Sequence, residues 1–236
     1  MRNALALVGC ALGVAGPLSG CIGSGADTRP GLASGEPSVA VAGRVATPVP
    51  PPIVVRVATD EPTAPGADDT PVFGTDEAGP ALLDDDLVPD VVRVVPGAFG
   101  DASVGGMAPS VYALEVVSGQ TGARRKILRG EVLGEGSAHV QLVDLEGDGR
   151  PELLVAETGS YMTCDLGGGA LTTRWVLVDA WGRVLYRSEH SELSYDVGGP
   201  ARDGRVRASI VALGDGRSGV ELRGPARRRV LVADGR

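Results

Sequence analysis

Residues 142–155 read LVDLEGDGRPELLV, a cluster of acids and glycines set between two aliphatic runs. The flanks, VQLVDL and ELLVAE, are short and rich in residues that favour a pleated, half-buried strand. Between them stands Asp148-Gly149, a tight-turn dipeptide, because glycine adopts the left-handed backbone that a short hairpin demands. The stretch therefore predicts strand, turn, strand.

The same texture extends outward. DVVRVV, SVYALEVV, RWVLVDA, RVLYRSE, RVRASIVAL, SGVELR and RRVLVAD are runs of similar length, several alternating apolar and polar side chains. Turn residues separate them at Ser118–Gly122, Ala180–Gly182 and Gly214–Gly216. No window carries an apolar stripe of helical period and helix length. Residues 87–236 are thus expected to form an all-β domain, an antiparallel β-sandwich or open barrel of about nine strands. A closed propeller needs roughly four or more four-stranded blades, which this chain does not supply. SYMTCDLGGGALTTRW at 160–175 reads as a flexible connection, since glycine runs mark loops.

Aromatic residues make up 3% of the 236, against 36 glycines and 17 prolines. That is too few large side chains for a core spanning the whole length, so part of the chain is expected to be unfolded. Residues 21–86 fit that part. They are Pro-rich, and between Val57 and Val92 ten acids stand without one basic residue. Such segments are extended and self-repelling, a tether rather than a domain, with docking to a basic partner as the functional alternative.

Residues 1–20 open with Arg2, continue through a short apolar stretch and end in small residues before Cys21, the form of an export signal. Leu18-Ser19-Gly20-Cys21 resembles the lipobox of bacterial lipoproteins. In that family the Cys thiol is diacylated, the signal is cut before it, and the new amino group is acylated. The resemblance implies lipidation at Cys21 and a place in the cell envelope, held to the membrane by acyl chains. Ile22 stands where the family's inner-membrane retention signal has Asp, which implies the outer membrane where a cell has one. Cys10 leaves with the signal, so Cys164 is the one remaining thiol and no intramolecular disulfide can form.

Counted from Asp144, oxygen-bearing side chains fall at positions one (Asp144), three (Glu146), five (Asp148) and nine (Glu152) of the loop. Alternate inward-pointing oxygens suit a hard cation such as calcium. Val155 at position twelve rules out the helix-loop-helix calcium hand, which has a bidentate Glu there. The strand–loop–strand pattern VDLEGDGRPELLV instead resembles an FG-GAP or VCBS repeat. That resemblance implies side-chain calcium ligands at Asp144, Glu146, Asp148 and Glu152, with Arg150 a backbone ligand. Glu at positions three and nine departs from the family's shorter acids. A bare hairpin turn is the competing reading, though it leaves four neighbouring carboxylates unexplained.

His139 and His190 lie in no ligand-spaced cluster, and no nucleophile elbow or phosphate loop appears. Arg227–Arg229 would solvate an edge strand rather than bind nucleic acid, because the chain is exported and carries net charge −8. The expected function is a lipid-anchored envelope protein whose calcium-stabilised β-domain binds a partner or has a structural role, an envelope protein being the natural partner. Two alternatives remain open. One is a hydrolase, to be recognised by a pocket joining Tyr161, Asp165 and His190. The other is an assembly subunit, to be recognised by a long uncovered edge strand.

Overall fold

The runs of β-branched residues become fourteen strands and no helix in a computed structural model that describes residues 51, 53–62, 75–97, 109–163, 168–196 and 199–234. In chain order these are β1 (Val55–Pro62), β2 (Glu77–Ala81), β3 (Asp90–Pro96), β4 (Ser110–Val117) and β5 (Arg124–Val132). Then come β6 (Glu135–Val143), β7 (Glu152–Thr163), β8 (Gly168–Val178), β9 (Val184–Arg187) and β10 (Ser191–Tyr195). The last are β11 (Arg202–Asp203), β12 (Arg207–Ala212), β13 (Ser218–Arg223) and β14 (Arg227–Ala233). All pairings are antiparallel. The three turns marked by Gly122, Gly182 and Gly214–Gly216 join β4 to β5, β8 to β9 and β12 to β13, each glycine having positive φ.

The strands form three sheets rather than one barrel: β2-β3-β4-β5, a middle sheet β6-β7-β8-β10-β11 with β9 also on β8, and β1-β14-β13-β12. The middle sheet is covered on both faces. Leu153, Val155, Val176 and Val178 meet Val92, Leu114 and Val116 of the first sheet. Their neighbours Leu154, Ala156, Trp175 and Leu177 meet Val220, Leu222 and Leu231 of the terminal sheet. A strand with two buried faces needs apolar residues at every position, which is why ELLVA and WVLV show no alternation. The architecture is an all-β sandwich with a third layer, and its short strands raise the number from about nine to fourteen.

One buried ion pair ties the first layer to the middle one. The Glu157 carboxylate, 3% exposed, pairs with the Arg174 guanidinium and accepts the Tyr112 hydroxyl at 2.6 Å. Burial, and then the Glu157 charge, push that hydroxyl above its ordinary range. Gly130 makes room for it, since a Cβ there would overlap the Tyr112 ring.

Three expectations are corrected. The domain does not begin at Leu87, because β1 and β2 lie inside the segment expected to be a tether. Ile53 and Val55 pack on the second core, and β1 pairs with β14 from Val55↔Ala233 to Pro62↔Arg227. Met1–Pro50 and residues 63–74, with the signal, Cys21 and the rest of the expected tether, lie outside the described residues. Second, β14 is not an edge strand, since β1 covers one side and β13 the other. Its arginines are spent within the sheet: Arg227 and Arg229 pair with Asp60, and Arg228 with Glu61 and Glu221. Third, 160–175 is mostly strand. Met162 pairs with Gly169, and the Tyr195 hydroxyl lies 2.6 Å from where a Gly169 Cβ would stand, so that glycine serves close packing in a strand. Cys164 and Asp165 lie outside the described residues.

Candidate functional site

The β6–β7 connection curls around its own first acid. Asp144 accepts the backbone N–H of Gly147 at 2.7 Å, of Asp148 at 3.2 Å and of Gly149 at 2.9 Å. Gly147 and Gly149 have φ of +74° and +81°, which a residue with a Cβ adopts only at a cost. Leu145, wholly buried, drives into the second core, and its N–H donates to Glu152 Oε2 at 3.0 Å. Burial pushes the Glu152 carboxyl up to about 7 despite that bond, and the charges of Asp144 and Glu146 add to the rise.

The structure divides the five expected ligand residues. Glu146, Asp148, Arg150 and Glu152 line a cavity of about 250 Å³, whereas Asp144 faces a shallower groove beside Leu142 and Pro151. Among the described residues no group of three or more His, Cys, Asp or Glu side chains stands close enough to hold a metal ion in this geometry. The cavity also draws in residues absent from the motif: Asp84 and Asp85, Asp179, Trp181 and Arg183.

In sequence Asp84 and Asp85 fell within the expected tether and Asp179 carried no expected role, whereas all three acids lie in or beside turns. Asp84 and Asp86 accept the N–H groups two residues on, of Asp86 at 3.0 Å and of Val88 at 2.8 Å, so the acidic run is a folded turn and not a spacer. Asp179 likewise accepts the N–H groups of Trp181 and Arg183, each at 2.9 Å, and pairs with the Arg183 guanidinium. Trp181 has its outer face occupied by Arg125, 5.0 Å above the ring.

Asp-Gly-Arg occurs four times: in the candidate loop (148–150), in two sister turns, 203–205 and 215–217, and at 234–236, whose last two residues lie outside the described residues. In the first three the Asp accepts the N–H of the Arg two residues on, at 2.9, 3.1 and 3.2 Å respectively. In the sister turns the guanidinium folds back onto the same Asp, at 2.8 Å for Arg205 and 2.6 Å for Arg217. Arg205 thereby holds the Asp203 carboxyl down to about 2, and Arg217 holds Asp215 below the ordinary range. Arg150 differs. Its guanidinium reaches away to Asp85 at 2.6 Å, so Asp148 keeps its carboxylate without its own arginine.

Of the three residues named for an acid-based hydrolase, Tyr161 and His190 are described, and Asp165 lies outside the described residues. Tyr161 donates to Glu192 at 3.2 Å, and His190 lies between β9 and β10, its pKa lowered by partial desolvation and then by the Arg174 charge. The cavity at Glu152 includes neither. His139 sits in β6, its Nδ1 3.2 Å from Asp76.

Comparison with known proteins finds no matching family model, curated protein or solved structure. The class defined by the fold and the loop is therefore a three-sheet β-sandwich protein with an acid-lined cavity, and no family is assigned beyond it.

Proposed function

We propose that this chain is a lipid-anchored protein of the cell envelope whose β-domain serves a binding or structural role and takes calcium at the loop of Asp144, Glu146, Asp148, Arg150 and Glu152. The observation that carries the cation reading is the unshared carboxylate of Asp148. The two sister turns neutralise their acid internally, while this one sends its arginine to Asp85. Glu146 and Glu152 line the same cavity, and side-chain rotation of Glu146 and Asp148 toward Glu152 would assemble oxygens for a hard ion. The ion would also relieve the mutual repulsion of acids already crowded there.

Calcium should raise the melting temperature relative to chelator. At roughly 10 Kd the gain is about 1.4 kcal/mol, or about 3–5 °C for a domain of this size. Magnesium should do less, because it keeps its waters and prefers a smaller octahedral shell. Asp148→Ala should erase the calcium response, while Asp215→Ala in the sister turn should leave it intact. A melting temperature indifferent to millimolar calcium would reduce the loop to a hairpin turn.

The anchor is tested separately. Cys21→Ala should leave unprocessed precursor and release any matured protein from membranes washed in high salt. Normal maturation with salt-resistant retention of that variant would remove lipidation from the proposal.

A further inference from the structure

The face of the β2–β5 sheet turned away from the middle sheet carries a second feature, independent of the acidic loop. In β4 and β5 the pairs Ala113↔Arg129, Glu115↔Lys126 and Val117↔Arg124 stand side by side, with a register shift between Leu114 and Glu115. That bulge takes up Ile127, which packs inward with the core. Without it Lys126 and Arg129, three residues apart, would point to opposite faces. With it Arg124, Lys126 and Arg129 form one row at dipeptide spacing, roughly 7 Å apart.

Four cations on this face, Arg93, Arg124, Lys126 and Arg129, stand against three acids, Glu77, Glu115 and Glu131, which leaves one positive charge over. Arg93 pairs with Glu77 at 2.7 Å, and Arg124 reaches Glu115 at 3.8 Å. Lys126 and Arg129, both exposed, pair with no acid among the described residues, in a chain whose net charge is −8. Both border an open trough of about 540 Å³ whose floor includes Val95, Val111 and Ala113.

We infer that this trough is a docking surface for an extended acidic segment of a partner protein, one carrying carboxylates at alternate residues. In an extended chain, side chains two residues apart share a face at the spacing of the cationic row. Carboxylates at i and i+2 therefore reach Lys126 and Arg129 together, while a small apolar residue at i−2 or i+4 rests on the valine floor. A membrane surface would supply anionic charge but no such spacing. The inference rests on the reading of the domain as a binding module and not on calcium.

The test uses the full-length protein in neutral detergent and a fluorescein-labelled peptide alternating Asp and Val. A control peptide holds the same residues in two blocks. The alternating peptide should bind more tightly than the block peptide, and Lys126→Gln/Arg129→Gln should weaken it at least about fivefold, as should raised salt. Both substituted side chains are exposed, so the calcium response and the melting temperature should survive the change, which separates failure here from failure of the proposed function. Equal binding of the two peptides, or binding indifferent to the double substitution, would overturn the inference. Co-sedimentation with phosphatidylglycerol vesicles that depends on Lys126 and Arg129, in the absence of peptide discrimination, would overturn it in favour of a membrane contact.

Discussion

Replacing Arg174 with Met should lower the stability of the domain by about 3–5 kcal/mol in urea denaturation. The Glu157 carboxylate is buried between two sheets, and its charge is matched by that one guanidinium. Methionine keeps much of the volume but leaves the anion with only the Tyr112 hydroxyl. Most of the loss comes from stranding a charge out of water rather than from the attraction removed, so a second substitution should recover much of it. In Arg174→Met/Glu157→Gln the amide oxygen still accepts the Tyr112 hydroxyl and no charge is buried. A single variant that loses less than about 1 kcal/mol would mean that water reaches Glu157 and that the pair behaves like a surface one.

A chain beginning at Leu87 should fail to fold, whereas one beginning at Pro51, the first described residue, should melt cooperatively. The shorter chain lacks β1 and β2. It uncovers the backbone of β14 along seven paired positions and removes Ile53 and Val55 from the second core. Ile53 and Val55 are partly buried, so each contributes a share of the about 1.5–3 kcal/mol of full burial, against a total stability of about 5–15 kcal/mol for an ordinary domain. The open β14 edge would also invite pairing between chains. A cooperative, monomeric Leu87 chain would show β1 to be an accessory strand.

The error about β1 has a physical origin. Composition weighs local charge, and Asp60 and Glu61 stand in a stretch with no basic residue. Their partners Arg227, Arg228 and Arg229 lie 167 to 169 positions along the chain, beyond any local window. What is local was legible. Glycines at 122, 182, 214 and 216 announced their turns because positive φ is a property of a single residue. The loop from Asp144 to Glu152 was found for the same reason, since its acids lie on one short curl. Its cavity was not, because Asp84, Asp85, Asp179 and Trp181 join it only through the packing of separate turns. Gly168 and Gly169 misled in the other direction. Glycine marks a loop by conformational freedom, but at Gly169 it provides space for the Tyr195 ring, and sequence does not distinguish the two uses.

The pairing of β1 with β14 also sets the order in which the domain can be completed. Among the described strands the first made must wait for the last, with Asp60 and Arg227 separated by 167 residues. At ordinary synthesis rates that wait lasts roughly 10–30 s. For most of that interval the terminal sheet lacks β12 and β13, and to its end it lacks β14, so one face of the middle sheet is not fully covered. The terminal sheet of a nascent chain therefore stays incomplete until Arg227–Ala233 have been made. A stop codon that removed β14 would leave β1 without its partner strand and the second core without Leu231 and Ala233.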